Sequence, residues 1–144
     1  MAIKKIKVLY GGESSEREVS LESGKYIFQA VKDLGYEAQL IDYPKNFSSH
    51  QLTEEDFIFI ALHGQDGESG ALQKLLQQKC IPFSGSHYQA CVNTWNKNTC
   101  KVILKENKIP TPNWITISSL YEIEKDLGNP FFNQLRPFKE LFLK

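Results

Sequence analysis

The chain has little of what marks several large classes of protein. It carries only three cysteines in 144 residues, Cys80, Cys91 and Cys100, an odd number with no close pair. A zinc site wants pairs such as C-x-x-C and a disulfide framework wants an even count, so neither is expected. The three thiols read as reduced, small apolar side chains in or near a core. Charge of one sign is also missing, because 17 lysines and arginines balance 17 aspartates and glutamates. No basic stripe with interleaved aromatics appears, which argues against nucleic acid or a membrane surface as partner. Long apolar runs are absent as well; the longest, residues 57–62, is far too short to cross a bilayer. Met1-Ala2-Ile3-Lys4-Lys5 leads directly into the first apolar run with no signal-peptide core. A cytoplasmic protein is the expectation.

What is present is ordinary for a soluble globular chain: 41% hydrophobic and 24% charged residues. The length suits one domain, or one domain and the start of another. Strand-like runs alternate with helix-like ones, the α/β signature. Residues 6–10 read as a first strand. Residues 18–34 place Val19, Ile27, Ala30, Val31 and Leu34 near helical spacing and stop at Gly35, a natural C′ residue. Residues 36–43 read as a second strand, with Ala38, Leu40 and Asp42 alternating against Glu37, Gln39 and Ile41, and 44–51 as a polar loop or broken helix. Residues 57–62 are apolar throughout, as in a strand covered on both faces. A glycine-rich loop at 63–70 follows, then a helix bearing Leu72, Leu75 and Leu76, and a short strand at 81–83. The order β-α-β-(α)-β-α-β predicts a Rossmann-like parallel sheet with helices on both faces. A domain boundary is expected near Asn93. Beyond it come a lysine-rich helix at 96–107, the breaker Ile109-Pro110-Thr111-Pro112, a strand at 114–117 and a helix at 118–127.

Two loops and one helix start carry candidate chemistry. In Gly11-Gly12-Glu13-Ser14-Ser15-Glu16-Arg17-Glu18, glycines let backbone amides approach a ligand, Ser14 or Ser15 can cap the helix, and Glu16 falls in its first turn. Taken alone, this is only a well-capped helix with acids on its dipole. A carboxylate beside helix amides also suits a ligand with both ammonium and carboxylate groups, such as an amino acid. The second loop, His63-Gly64-Gln65-Asp66-Gly67-Glu68-Ser69-Gly70, is too dense in glycine for helix or strand and leaves the carboxyl end of a buried strand. Open parallel sheets bind ligands at that edge. His63 opens it, placed to donate to a carboxylate or steer an amine; a lone histidine is more often an ordinary hydrogen-bonded residue, and His50 and His87 are given no role. Third, Lys97, Lys101, Lys105 and Lys108 share one helix face, commonly a mere solvated face. Lys97 stands out, since a cation in the first turn opposes the helix dipole unless a phosphate sits there.

Together these segments resemble the D-alanine–D-alanine ligases of bacterial cell-wall synthesis, members of the ATP-grasp superfamily. The resemblance is carried by residues 8–24, by Ala61-Leu62-His63-Gly64-x-x-Gly67-Glu68-x-Gly70-x-Leu72-Gln73, by Pro82-Phe83-Ser84-Gly85-Ser86, and by Asn96-Lys97-x-x-x-Lys101 with Ile109-Pro110-Thr111-Pro112. It implies a Rossmann-like N-terminal substrate domain over 1–92 (a pre-ATP-grasp domain) and the incomplete beginning of an ATP-grasp domain over 93–144. It implies ATP and Mg2+ as cofactors, phosphorylation of a first D-alanine carboxylate, and attack by the amine of a second. Glu16 then looks like the holder of the first ammonium, His63 like its neighbour over the reacting carboxylate, and Glu68 like an anchor of that loop. Lys97 looks like the lysine that reaches the nucleotide phosphates. No metal ligand is expected among these residues, and a homodimer through the N-terminal layer is implied.

Two departures stand against the pattern. Asn96 replaces the family's aspartate before the lysine. After Asn129-Pro130-Phe131-Phe132 the family continues to a Lys-Pro and a Gly-Ser-Ser loop, whereas this chain reads Asn133-Gln134-Leu135-Arg136-Pro137-Phe138-Lys139-Glu140 and ends at Lys144. Most of the ATP and Mg2+ site is then expected beyond this terminus, and the chain resembles a truncated piece unable to ligate D-alanine alone. The alternative is a noncatalytic remnant or small-molecule-binding module on the same layer.

Overall fold

The apolar runs become a small parallel sheet in a computed structural model that describes residues 5–53 and 55–116. Strand β1 (Lys5–Gly11) lies between β2 (Glu37–Tyr43) and β3 (Asp56–Ile60), paired in parallel with each. The register sets Leu9 between Ile41 and Ile60, and Val8 between Leu40 and Phe59. Val8 and Leu9 are both 0% exposed. Adjacent strand residues point to opposite faces, so both faces of the centre are covered, as the helix-bearing crossovers demand. The strand expected at 81–83 forms a single parallel bridge, Ile58 with Phe83. Ile58 N–H donates to the Pro82 carbonyl and its carbonyl accepts from Ser84 N–H; Pro82 has no N–H with which to lengthen the ladder.

Helix α1 (Arg17–Asp33) crosses from β1 to β2, and α2 (Gln65–Glu68) and α3 (Ala71–Gln78) follow β3. The glycine-rich stretch is therefore not all loop. Gly64 and Gly70 take positive φ of 69° and 94° and bracket one helical turn, in which Gly67 is buried against Leu62. Helix α3 places Leu72 and Leu76 in a core with Leu9, Ile41, Ile58, Leu62 and Ile81.

Two patterning expectations are corrected. Val19 and Leu34 are 56% and 75% exposed and Ala30 is exposed too, so the buried face of α1 is Ser20, Gly24 and Val31. Small residues lie inward because the helix sits close on β1; a Cβ at Gly24 would collide with Tyr10. In β2 the most buried residue is Ile41, on the α3 side, while Ala38 and Leu40 are half-buried on the opposite face. The expected alternation holds from Glu37 to Leu40, with Glu37 and Gln39 exposed, and fails at Ile41, which shares their face but joins the core beside Leu72 and Leu76.

Helix ends follow one device. Gly35 N–H donates to the Lys32 carbonyl and Tyr36 N–H to that of Val31, closing α1 with a left-handed residue. Cys80 does the same for α3 at φ 55°, with its N–H on Gln77 and that of Ile81 on Leu76. The three cysteines are free, and Cys80 is exposed.

Beneath the core, the Lys7 ammonium lies 2.8 Å from Asp56 Oδ2 and 3.0 Å from the Gln51 carbonyl. Burial pushes the Asp56 carboxyl up, but the Lys7 ammonium and the Thr53 N–H and hydroxyl together hold it below the usual carboxylate range.

The chain divides into two compact units, Met1–Asn96 and Lys97–Lys144, the break falling after α4 (Tyr88–Trp95) and before α5 (Lys97–Glu106). Within the second, Lys101 Nζ donates to Thr111 Oγ1 at 3.0 Å and to the Pro112 carbonyl at 2.9 Å, and lies over the Trp114 ring. This lysine thus holds the proline-rich breaker against its helix. Of the strand expected at 114–117, residues 114–116 are not strand; Ile117 and the helix expected at 118–127 lie outside the described residues. No described helix is long and apolar enough to cross a membrane.

Two outcomes follow from these contacts. Asp56→Ala leaves a buried ammonium without its counter-ion and is expected to cost about 3 kcal/mol in urea unfolding. Because the folded carboxyl titrates below its unfolded value, the pair's stabilisation is complete above about pH 4 and disappears as pH falls through the folded value. A D56A variant with the same acid midpoint as the parent would contradict this. Cys80→Gly removes the left-handed penalty and is expected to raise stability by about 0.5–1 kcal/mol; a lower urea midpoint would contradict it.

Candidate functional site

The carboxyl ends of β1 and β3 are neighbours, and the two loops singled out by sequence leave from them. Ser20, 0% exposed, sits under both. Its hydroxyl accepts from Gly11 N–H at 2.9 Å and donates to the Ala61 carbonyl at 2.7 Å. Gly11 and Gly12 then turn the chain at φ 88° and 85°. Side chains are excluded at Gly11 because the Arg17–Asp42 pair packs there, 2.5 Å from where a Cβ would lie.

Arg17 grips Asp42 with two hydrogen bonds of 2.9 and 2.7 Å and gives a third to the Gly12 carbonyl. The Arg17 guanidinium holds the Asp42 carboxyl below the usual carboxylate range, outweighing the upward push of burial. Burial pushes the nearby Tyr43 phenol up, helped by the charges of Asp66 and Glu13, so it stays neutral.

The loops touch each other directly. Glu13 N–H donates to Asp66 Oδ2 at 2.6 Å, and the Ser14 hydroxyl donates to the His63 carbonyl at 3.1 Å. Ser14 Oγ also accepts from Glu16 N–H at 3.2 Å. Glu16 occupies the N-cap position rather than the first turn, and no side chain caps α1; Ser14, one of the two serines expected as a cap, bonds within the turn and to the second loop instead. The Glu16 carboxylate reaches across to the second loop, its Oε2 3.1 Å from the place a Cβ at Gly64 would take. The His63 ring meets Ser23 of α1, Nε2 to Oγ, at 3.4 Å. Glu68 Oε1 accepts Gly64 N–H at 3.0 Å, anchoring its own loop much as the glutamate of a capping box does.

Glu16, His63 and Glu68 are therefore brought to one sheet edge. Lys97 opens α5 in the second unit. His87, given no role from sequence, is the N-cap of α4, its Nδ1 accepting from Ala90 N–H at 3.4 Å. Beside Glu68 lies a cavity of about 310 Å³ lined by Ile60, Leu62, Gln73, Ser84 and Cys91. Burial pushes the Cys91 thiol up, which suits a packing group rather than a nucleophile.

Sequence reasoning missed the residues that make the edge rigid. Ser20 carried one signal, a small hydroxyl on the buried side of an amphipathic helix. The Arg17–Asp42 pair joins a helix start to a strand end far along the chain, and no local pattern announces such a bond. Asp66, the acceptor for the first loop, stood inside the second motif as an unassigned position.

No protein-family model matches the chain. A D-alanine–D-alanine ligase of Carboxydothermus hydrogenoformans is 48% identical over 115 residues, 79% of this chain and 37% of that protein. The corresponding ligase of Aquifex aeolicus is 38% identical over 137 residues, 94% of this chain and 47% of that protein. Among solved structures, the ligase of Bacillus anthracis complexed with ATP superposes with a TM-score of 0.74 at 32% identity. It covers 94% of this chain and 42% of that one. The chain spans less than half the length of the curated relatives it matches, their N-terminal part.

Ser20→Ala leaves Gly11 N–H and the Ala61 carbonyl buried without partners, so a loss of about 2–3 kcal/mol is expected in urea unfolding. A loss under about 0.5 kcal/mol would mean that water replaces the hydroxyl and that Ser20 does not tie the loops.

Proposed function

Because the chain corresponds to the N-terminal part of the D-alanine–D-alanine ligases, we propose that its described edge is the first-substrate half of such an enzyme. The observation that supports this is the meeting of the two loops, with the Glu16 carboxylate against Gly64 and the Ser14 hydroxyl on His63. In this reading Glu16 holds the ammonium of a first D-alanine. His63 lies beside the same molecule, and Glu68 keeps the second loop in place through Gly64. Charge-assisted hydrogen bonds of this kind are about twice as strong as neutral ones, so Glu16 carries most of the grip.

Lys97 is assigned to the nucleotide phosphates. An ammonium at the first position of a ten-residue helix gathers positive charge where the helix amides already favour an anion, so the residue fits that group. ATP would activate the carboxylate of the bound substrate, and fixed positive charge around the transferring phosphoryl group is what such a step requires. For Mg2+ the described residues supply no cluster of three or more His, Cys, Asp or Glu. Residues 1–92 form the substrate domain and 93–144 the start of an ATP-grasp domain in this proposal. The protein acts in the cytoplasm, as a homodimer, on D-alanine, with neither nucleic acid nor membrane as partner. In this reading residues 1–144 bind substrate and do not ligate it unaided. A second reading, a binding module without chemistry, shares the same cradle.

Calorimetric titration tests the proposal. D-alanine should bind the chain, and Glu16→Gln should weaken it by about tenfold or more. Equal affinity in the variant, or no binding to the parent, would overturn the assignment of Glu16. With ATP added, D-alanine-dependent release of phosphate would show that the chain is more than half a machine.

A further inference from the structure

We propose that Ser23, a residue with no role so far, is a positioning residue that sets the tautomer of His63. The argument is a count of hydrogens. The Ser23 hydroxyl donates to the Val19 carbonyl one turn back, at 2.8 Å. A hydroxyl has one hydrogen and two lone pairs, so only acceptor capacity is left. In the 3.4 Å contact with His63 Nε2 the serine oxygen therefore accepts, and the ring nitrogen carries the proton. The reverse arrangement would give up a 2.8 Å bond to make a 3.4 Å one. A neutral imidazole holds one N–H, so Nδ1 is left as the ring's acceptor.

The contact is long for an N–H···O bond and adds little stability. It works by choosing between two tautomers that are otherwise close in energy. The backbone of the same histidine is held separately, by the Ser14 hydroxyl on its carbonyl. Two serines of the first segment thus fix His63 in place and in protonation. The chemical consequence is specific. Neutral His63 offers a lone pair, which receives an N–H such as that of an ammonium group; it does not offer a second donor to a carboxylate. The sequence had left both open. This inference takes its ligand from the proposed function, but the tautomer stands independently of any ligand.

Long-range 15N–1H correlation of the histidine rings in the full chain reads the tautomer directly. His63 is identified by the signals lost in His63→Gln. The expectation is a protonated Nε2 and an unprotonated Nδ1 in the parent at neutral pH. In Ser23→Ala, which keeps a good helix former in α1, the two nitrogen shifts should move toward each other. Ser23→Thr, which retains the hydroxyl, should restore the parent pattern. An Nδ1-protonated ring in the parent, or shifts unchanged in Ser23→Ala, would overturn the proposal. In D-alanine titrations Ser23→Ala should bind about two- to threefold more weakly and Ser23→Thr like the parent. Equal affinity in Ser23→Ala would refute the positioning role. Absence of D-alanine binding by the parent would refute the proposed function and leave the tautomer result standing.

Discussion

One buried hydroxyl governs this fold's working edge. Ser20 Oγ joins Gly11 at the end of β1 to Ala61 just past the end of β3, with no exposure to water. Parallel neighbours end side by side, but nothing in a ladder of backbone hydrogen bonds dictates how the chain leaves it. A serine on the helix that springs from the first loop supplies that instruction. It ties strand, helix and second loop at a single atom. The contacts above it, Ser14 to His63 and Glu13 to Asp66, depend on that common anchor.

Polar clamps bracket the apolar centre. At the start of β3, Asp56 and Lys7 are buried together and satisfied by Thr53 and Gln51. At the other end Arg17 and Asp42 lock the start of α1 to the end of β2. Between them Val8, Leu9, Ile58 and Leu76 exclude water almost completely. Burial of that centre drives folding. The ion pairs contribute less net stability than they do register, since a displaced strand would leave a charge buried alone. Small residues complete the arrangement. Gly24 lets α1 sit against Tyr10, which brings Ser20 and Ser23 within reach of the sheet edge.

Much of this was legible in the sequence, and the parts that were not have physical reasons. Alternating runs and the glycines at 35, 64 and 70 marked the strands, the helices and the turn between β3 and α3. The inward face of α1 was misread because its burial is carried by Ser20 and Gly24, which no hydrophobic pattern identifies. In β2 only Ile41 misled, because the face that is polar and exposed at Glu37 and Gln39 turns into the core one residue pair later. The turn at 65–68 looked too rich in glycine for helix, yet Gly67 is needed there to pass Leu62. Glu16, His63 and Glu68 were picked out by residue type and by resemblance, and they do share one edge. Ser14 was read only as a possible cap, and the bonds of Ser14, Ser20 and Ser23 to the second segment escaped notice because they join residues some forty or more apart.

The proposed function rests on one claim: that the two loops form a single cradle for a small amino acid. Chemical-shift mapping of the backbone amides during a D-alanine titration tests it most directly. The account predicts that amides of residues 11–20 and 63–70 move together along one binding curve. Movement confined to one loop, or two loops following different dissociation constants, would contradict it.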